Sequence, residues 1–168
     1  PTQVAHYLAA NRGVRCDPSC ILIVSGTQHG LRLCIDALLA PGDAVWFEDP
    51  GYFASRHTLR ATGVTLVPVP VDGEGIVVTA GEKADAAAKA AYVTPSHQFP
   101  TGVAMSMARR IALLDWARRA GAYIFEDDYD SEYRFAGPPL TALAGIGAER
   151  VIYLGTFAKT LFAGLRLG

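Results

Sequence analysis

The sequence predicts an α/β fold in which helices cover both faces of a mostly parallel sheet. Short apolar runs alternate with longer amphipathic stretches, and turn residues separate them. Hydrophobic residues make up 51% of the 168-residue chain, which is enough for one sizeable core. We therefore expect a single domain over residues 1–168, built as a three-layer sandwich.

The predicted elements follow one another as strand, helix, strand along most of the chain. Apolar runs bounded by turn residues predict strands at residues 21–24, 44–48, 65–69, 91–94, 122–126 and 151–154. Apolar residues at helical spacing predict helices at residues 28–39, 52–62, 79–89 and 106–120. Gly63 and Gly121 are typical helix stops after the second and fourth helices, and residues 72–75 form an ordinary turn.

Composition argues against several functional classes. Fifteen basic and sixteen acidic residues give a net charge of −1 without a dense run of one sign, which disfavours nucleic-acid binding by this segment. The three cysteines lack a disulfide or zinc pattern, which indicates unpaired thiols in a reducing cytosol. No apolar run approaches the roughly 20 residues of a membrane span, so we expect a cytoplasmic protein. Both termini lack closing caps, so we expect a fragment of a longer chain.

Loops that leave the carboxyl ends of parallel strands line the ligand crevice of such sheets. The loop after the first predicted strand contains Ser25, Gly26 and Thr27 and leads directly into a helix, whose free N–H groups suit a phosphate. A plain Ser or Thr N-cap is the alternative interpretation. After the second predicted strand, Tyr52 is placed either to stack on a planar ligand or to join the core.

Polar residues also follow the three later strands. His97 and Gln98 lie in a proline-bounded loop and are expected to face the crevice, although a single histidine is more often structural. Residues 126–132 hold five carboxylates, which favours either a solvated loop or one held by a cation. Their spacing does not match a calcium loop, so a metal is disfavoured. Lys159 lies between apolar residues, where lost hydration favours a nucleophilic amine. A lysine that extends its ammonium to solvent is the alternative interpretation and is common for a single lysine.

Together these loops resemble the large domain of fold type I pyridoxal-phosphate enzymes, in an incomplete form. The resemblance covers essentially the whole chain and is strongest to the aminotransferase-like domain of MocR-type regulators in the GntR superfamily. The most specific segments are residues 48–52, 95–102, 126–134 and 155–159.

The resemblance implies pyridoxal 5′-phosphate as the cofactor and assigns residues to its ring. Lys159 would form the internal aldimine and later act as the general base. Asp127 would keep the pyridine nitrogen protonated, so that the ring withdraws electrons. Tyr129 would hydrogen-bond O3′, with help from His97 or Gln98, and Tyr52 would stack on the ring face.

The resemblance also assigns residues to the cofactor's phosphate. Ser25, Gly26 and Thr27 would surround it at the helix N-terminus, the last two through backbone amides. Thr156 would contribute its hydroxyl. Arg166 would contribute a planar guanidinium that suits a dianion.

Two features depart from the pattern of many aminotransferases: the residue at position 99 and the spacing between the pyridine-binding carboxylate and the tyrosine. Phe99 replaces the asparagine that commonly precedes Pro-Thr-Gly, as it does in MocR-type domains. The spacing from the pyridine-binding carboxylate to the tyrosine allows Glu126 instead of Asp127. Asp127 is preferred because a shorter, more acidic carboxylate pairs more firmly with a pyridinium, and because MocR-type domains use this spacing.

The resemblance implies an effector-sensing domain of a transcription regulator that binds an amino acid or another amine. A catalytically active aminotransferase of the 2-aminoadipate type is the alternative, and a cofactor-free doubly wound domain is a third possibility. The implied assembly is a homodimer. It would contact DNA only through a separate N-terminal domain outside this chain, and a C-terminal small domain is also absent from it.

Overall fold

A computed structural model describes residues 1–133 and 140–168 of the chain. The helices are α1 (Thr2–Arg12), α2 (Thr27–Leu38), α3 (Phe53–Arg60), α4 (Val78–Asp85), α5 (Met107–Ala120) and α6 (Leu143–Ile146). The strands are β1 (Ala44–Asp49), β2 (Thr65–Asp72), β3 (Gly75–Ile76), β4 (Ala90–Val93), β5 (Tyr123–Asp128) and β6 (Val151–Gly155). Short 3-10 helices lie at Pro18–Cys20, Ser131–Tyr133, Ala148–Arg150 and Ala163–Leu165. Among these residues, no helix combines the length and apolarity needed to cross a membrane.

The strands form one six-stranded sheet in the order β3-β2-β1-β4-β5-β6. Every neighbouring pair is parallel except β2 and β3, which form a tight antiparallel hairpin around the turn predicted at residues 72–75. The predicted mostly parallel sheet is therefore confirmed. Because β1, β4, β5 and β6 run in the same direction, their carboxyl ends lie along one edge, and the loops that follow them meet there.

Alternating side chains of the strands pack against helices on opposite faces of the sheet. Trp46 and Ile124 belong to the core formed with α4 and α5, where Trp46 stacks on Trp116 with ring centroids 3.7 Å apart. Phe47 and Phe125 belong to the core on the other face, formed with α2 and α3. This alternation produces the three predicted layers, because each strand buries apolar side chains on both faces.

Local sequence signals explain where α5 begins and ends. At the start of α5, the Ser106 hydroxyl accepts a hydrogen bond from the Arg109 N–H at 3.2 Å. At its end, Gly121 adopts a left-handed conformation with φ 65°. By contrast, α4 ends at Asp85, four residues before the predicted end at position 89. The chain must leave the helix before Lys89, because the Lys89 N–H donates to the Ala44 carbonyl and the next residue begins β4.

The strand predicted at residues 21–24 is wrong. This segment lacks regular secondary structure, and Leu22 is 69% exposed. In the described residues, its backbone ladder is limited to Val24, which exchanges two hydrogen bonds with Gly168 at 2.9 and 3.0 Å. An apolar run becomes a strand only when a neighbouring strand pairs with it, and one reciprocal pair does not make a ladder.

Candidate functional site

A cavity of about 320 Å³ lies at the carboxyl edge of the sheet. Its lining residues are Ser25, Gly26, Thr27, Gln28, Tyr52, Phe99, Asp127, Tyr129, Thr156, Ala158, Lys159 and Arg166. The fold therefore brings together all the candidate site residues except His97. They come from four separate loops. Three of these loops follow β1, β5 and β6, whose carboxyl ends lie at the same edge, and the fourth leads from residues 21–24 into α2.

One wall of the cavity is the start of α2. The N-cap residue is Gly26, with φ 89° and no side-chain cap, so the predicted alternative of a Ser or Thr N-cap does not apply. An added Cβ would meet no atom within 4 Å, so glycine is favoured by the backbone angle and not by crowding. The first N–H groups of a helix have no intrahelical acceptor. This uncapped turn therefore offers donors and a positive dipole end to an anion.

Arg166 lies beside this turn and has an unusual backbone conformation. Its guanidinium donates to the Ser25 carbonyl at 3.4 Å. In the described part of the chain, Arg166 is the non-glycine residue that has a positive φ, and its value is 51°. Such a conformation costs about 1 kcal/mol or more and is common at functional sites. It places a second positive group next to the free amides of α2.

Lys159 lines the cavity but does not have the predicted desolvated environment. The residue is exposed, as are Leu161 and Phe162, which are each 62% exposed. The apolar neighbours on which the prediction depended therefore do not bury the amine in this chain. The preceding turn is ordered by Thr156, whose hydroxyl accepts from the Ala158 N–H at 3.1 Å and donates to the Leu167 carbonyl at 3.3 Å.

Asp127 is a buried carboxylate with one oxygen paired and one not. The Tyr92 hydroxyl donates to Oδ2 at 2.5 Å, whereas Oδ1 has no hydrogen-bond partner among the described residues. Burial raises the pKa of Asp127 to about 7, and the Tyr92 hydrogen bond opposes that rise. An unpaired buried oxygen is costly, so this position suits a ligand that brings a donor or a positive charge.

The other carboxylates of the predicted acidic cluster point elsewhere. Glu126 is completely buried and accepts two backbone N–H bonds, at 2.8 and 3.0 Å, from the start of α6. Asp128 forms an ion pair with Arg12 at 2.7 Å, and Asp130 contacts His97 at 2.7 Å. The cluster is thus neither a solvated loop nor one site. Of the two carboxylates weighed for the pyridine nitrogen, Asp127 lines the cavity and Glu126 does not.

Aromatic rings form the rest of the wall. Phe99 contacts Tyr52 edge to face at 5.2 Å between centroids, and it also meets the ring of Tyr129 at 6.5 Å. His97 stacks on the far side of Tyr129 at 6.2 Å, outside the cavity lining. Burial raises the pKa of Tyr129, and neighbouring carboxylates raise it further. The Tyr129 hydroxyl is therefore protonated at neutral pH and available as a donor.

Gln98, which was expected to face the crevice, is instead buried against Glu48. Its side-chain amide donates to Glu48 Oε2 at 3.2 Å and to the Pro50 carbonyl at 2.9 Å. Glu48 also accepts from the Thr94 hydroxyl at 2.7 Å, and burial raises its pKa to about 7. This prediction is wrong because a buried carboxylate on the neighbouring strand requires donors. Gln98 consequently joins the two loops that carry Tyr52 and Phe99.

Three residues of the site were not predicted from the sequence. They are Gln28 and Phe99, which line the cavity, and Tyr92, which contacts Asp127. Tyr92 was indistinguishable from a core residue because it lies in an apolar strand. One signal was available: a tyrosine hydroxyl in the middle of a buried strand needs a partner. Arg134, the last residue of the segment 126–134, lies outside the described residues.

A larger cavity of about 530 Å³ lies between α1, α2 and β6. Its lining is mostly apolar and lacks Lys159, Asp127 and Arg166. The smaller cavity is therefore the better candidate site, since it combines cationic, acidic and aromatic groups with a helix N-terminus.

Comparison with known proteins identifies the family. The model of the aminotransferase class I and II family matches residues 2–168. This chain belongs to the aminotransferase class I and II family. Its fold agrees with solved members: a kynurenine aminotransferase from Pyrococcus horikoshii superposes with a TM-score of 0.92 at 33% identity. That match covers 99% of this chain and 43% of the other.

The similar family members also include regulators. The chain is 45% identical over 166 residues to the "Probable rhizopine catabolism regulatory protein MocR" of Rhizobium meliloti, covering 98% of this chain and 33% of the regulator. It is 39% identical to the HTH-type transcriptional regulator TauR of Rhodobacter capsulatus, covering 98% of this chain and 34% of that protein. The chain thus spans about a third of the curated relatives that it matches. The predicted resemblance is confirmed, and the chain is an aminotransferase-like domain.

Proposed function

We propose that this domain binds pyridoxal 5′-phosphate through Lys159 and is the amine-sensing part of a MocR-type transcription regulator. The observation that carries the proposal is the unpaired Oδ1 of Asp127, which lies in the same cavity as Lys159 and Arg166. A buried carboxylate at one wall and an uncapped helix N-terminus at another suit a ligand with a cationic ring and an anionic phosphate. The residues present therefore fit this cofactor.

Five of the lining residues have a role toward the cofactor ring in this proposal. Asp127 holds the proton on the ring nitrogen, and Tyr129 donates to the ring hydroxyl. Tyr52 packs on the ring and, with Phe99, excludes water from one side. Lys159 would hold the cofactor through its Nζ amine and would move a proton at that atom. When bound, the cofactor supplies an electron-withdrawing ring.

Four groups hold the phosphate in this proposal. Backbone N–H groups of Gly26 and Thr27 donate to it at the start of α2, beside Ser25. The Thr156 hydroxyl adds a donor from another loop by turning its hydrogen from the Leu167 carbonyl to the phosphate. Arg166 adds a charge-assisted pair, and its hydrogen bond to the Ser25 carbonyl keeps it at this end of the cavity.

His97 has an indirect role in the proposal. Its side chain is 49% exposed and pairs with Asp130. His97 therefore supports Tyr129 by stacking on the tyrosine ring and does not contact the cofactor ring.

The experiment that tests cofactor binding is trapping with borohydride. We expect the purified protein mixed with pyridoxal phosphate to yield, after reduction, a stable pyridoxyl group on Lys159 in peptide mass spectra. The Lys159→Ala variant should lose it. Lys89→Ala is the matched control, because Lys89 is an exposed lysine at the opposite edge of the sheet. Equal labelling of wild type and Lys159→Ala would contradict the proposal.

The alternative function is an active aminotransferase, and the superposition on a kynurenine aminotransferase favours it. The two functions differ in what happens after an amine enters. A sensor changes its absorbance once with an amino acid and stops, whereas an enzyme converts a 2-oxo acid to product over many cycles. Assaying the loaded protein with amino acids, with and without a 2-oxo acid, separates the two.

The proposal extends to the assembly. We propose a cytoplasmic homodimer that contacts DNA through a separate domain outside this chain, as the HTH-type name of the similar regulator suggests. Leu161, Phe162 and Leu165, which follow Lys159, are each at least 40% exposed. A group of exposed large apolar residues beside a site supports an interface there.

A further inference from the structure

A chain of hydrogen bonds leads away from Asp127 through three elements and is fully buried at Tyr92 and Ser55. Tyr92 on β4 donates to Asp127 Oδ2 at 2.5 Å, and Ser55 on α3 donates to the Tyr92 hydroxyl at 2.8 Å. The side-chain amide of Gln28 on α2 donates through Nε2 to the Ser55 hydroxyl at 2.8 Å. The Thr58 hydroxyl donates to the side-chain oxygen Oε1 of Gln28 at 2.8 Å. Every donor in the series points toward Asp127.

The burial of this chain indicates that its polar groups have a purpose beyond filling space. Tyr92 and Ser55 are both 0% exposed, and Phe47 and Tyr92 stack with ring centroids 5.4 Å apart. A phenylalanine would pack equally well at position 92 and would not require a partner for a hydroxyl. Consecutive hydrogen bonds of one direction strengthen one another at low dielectric, and this series concentrates its effect on a single carboxylate oxygen.

The position of the chain links two ends of the cavity. Asp127 lines the cavity at the end of β5, and Gln28 lines it in the first turn of α2. Ser55 lies behind the lining and connects the two. With Oδ2 held by Tyr92, the carboxylate cannot rotate freely, and Oδ1 is the oxygen left for a ligand.

We propose that Tyr92 is a positioning residue: its hydroxyl, supported by Ser55 and Gln28, holds Asp127 so that Oδ1 meets the ring nitrogen of the cofactor. This inference rests on the proposed function, because it needs a cofactor with a protonated ring nitrogen. Tyr92 contacts Asp127 and not the reacting atoms, and Ser55 and Gln28 support Asp127 only through Tyr92. Tyr92 therefore strengthens cofactor binding only through the contact between Asp127 and the ring nitrogen. A ligand that lacks this nitrogen should not respond to the loss of the Tyr92 hydroxyl.

The test compares two ligands and four proteins. The ligands are pyridoxal phosphate and its 1-deaza analogue, in which a C–H group replaces the ring nitrogen. The proteins are wild type, Tyr92→Phe, Ser55→Ala and Tyr153→Phe. Tyr153 is a matched control, because its hydroxyl also donates at 2.5 Å to a buried aspartate, Asp128, which does not line this cavity. Dissociation constants are measured by the absorbance of the bound ligand.

We expect Tyr92→Phe to weaken pyridoxal phosphate binding by about tenfold, the scale of one charge-assisted hydrogen bond, and to weaken the deaza analogue by less than about twofold. Tyr153→Phe should change both ligands by the same factor. Ser55→Ala keeps Tyr92 but removes the hydroxyl that donates to it. This variant should also reduce the ratio by which the protein prefers pyridoxal phosphate to the deaza analogue. If Tyr92→Phe does not fold, Ser55→Ala alone decides.

The inference is overturned if Tyr92→Phe, or Ser55→Ala where it decides, weakens both ligands equally. That result would leave the proposed function intact, provided that borohydride still labels Lys159 in wild type. A wild-type protein that binds neither ligand and is not labelled would overturn the proposed function and this inference together. The two failures are thus distinguishable.

Discussion

Asp127 should make the stability of the cofactor-free protein depend on pH. Burial raises its pKa in the fold to about 7, above the ordinary value of 3.8. A raised pKa means that the fold prefers the protonated acid. Its contribution is full below about pH 4 and is lost as the pH rises through 7. This displacement corresponds to roughly 4 kcal/mol at most.

We therefore expect the free energy of unfolding to fall between about pH 4 and pH 7. Asp127→Asn should flatten part of that fall by removing one ionisable group, since burial also raises the pKa of Glu48 and of Glu126 to about 7. Urea denaturation at several pH values measures both slopes. Asp36→Asn is the control, since Asp36 pairs on the surface with Arg32 and should leave the wild-type slope unchanged. A wild-type slope in Asp127→Asn would show that this carboxyl is already ionised in the fold.

At the scale of elements, Arg12 attaches α1 to the sheet. Its side chain is 4% exposed, forms an ion pair with Asp128 and donates to the Leu140 carbonyl at 2.8 Å and the Ser96 hydroxyl at 2.5 Å. Removing it would leave the Asp128 charge buried without its partner. We expect Arg12→Ala to lower the free energy of unfolding by roughly 3–5 kcal/mol.

Chemical denaturation of Arg12→Ala against Arg32→Ala measures this attachment. Arg32 also pairs with an aspartate, but both side chains are about half exposed, so its loss should cost less than about 1 kcal/mol. Arg12→Lys should not restore stability, because an ammonium cannot reproduce the fork of contacts. A cost for Arg12→Ala as small as that of Arg32→Ala would mean that α1 is held by its apolar contacts instead.

The elements differ in how far sequence alone could predict them. Strands such as Ala44–Asp49 and helices such as Met107–Ala120 were predictable, because their apolar periodicity and caps are local signals. The pairing of residues 21–24 was not, since it depends on a neighbouring strand. Most of the cavity lining followed from the rule that strand ends meet at one edge. The orientation of Gln98 and the partner of Tyr92 depend on which strands are adjacent, and periodicity does not contain that order.

At the scale of the whole molecule, the exposed apolar residues after Lys159 would connect cofactor binding to assembly in the proposed homodimer. Leu161 and Phe162 are each 62% exposed and lie within three positions of Lys159. If they form the subunit interface, a charge placed there must be buried without a partner on association. We expect Leu161→Glu and Phe162→Glu each to weaken the dimer at least about tenfold in sedimentation equilibrium.

Ile111→Glu is the control for this effect, since Ile111 is 48% exposed on α5, which packs on the face of the sheet away from α2. It should leave association unchanged. Because coupling between two equilibria is reciprocal, pyridoxal phosphate should also strengthen the wild-type dimer by the factor by which dimerisation strengthens cofactor binding. If Leu161→Glu and Phe162→Glu associate like wild type, the residues beside Lys159 do not form the interface, and cofactor binding should then be independent of protein concentration.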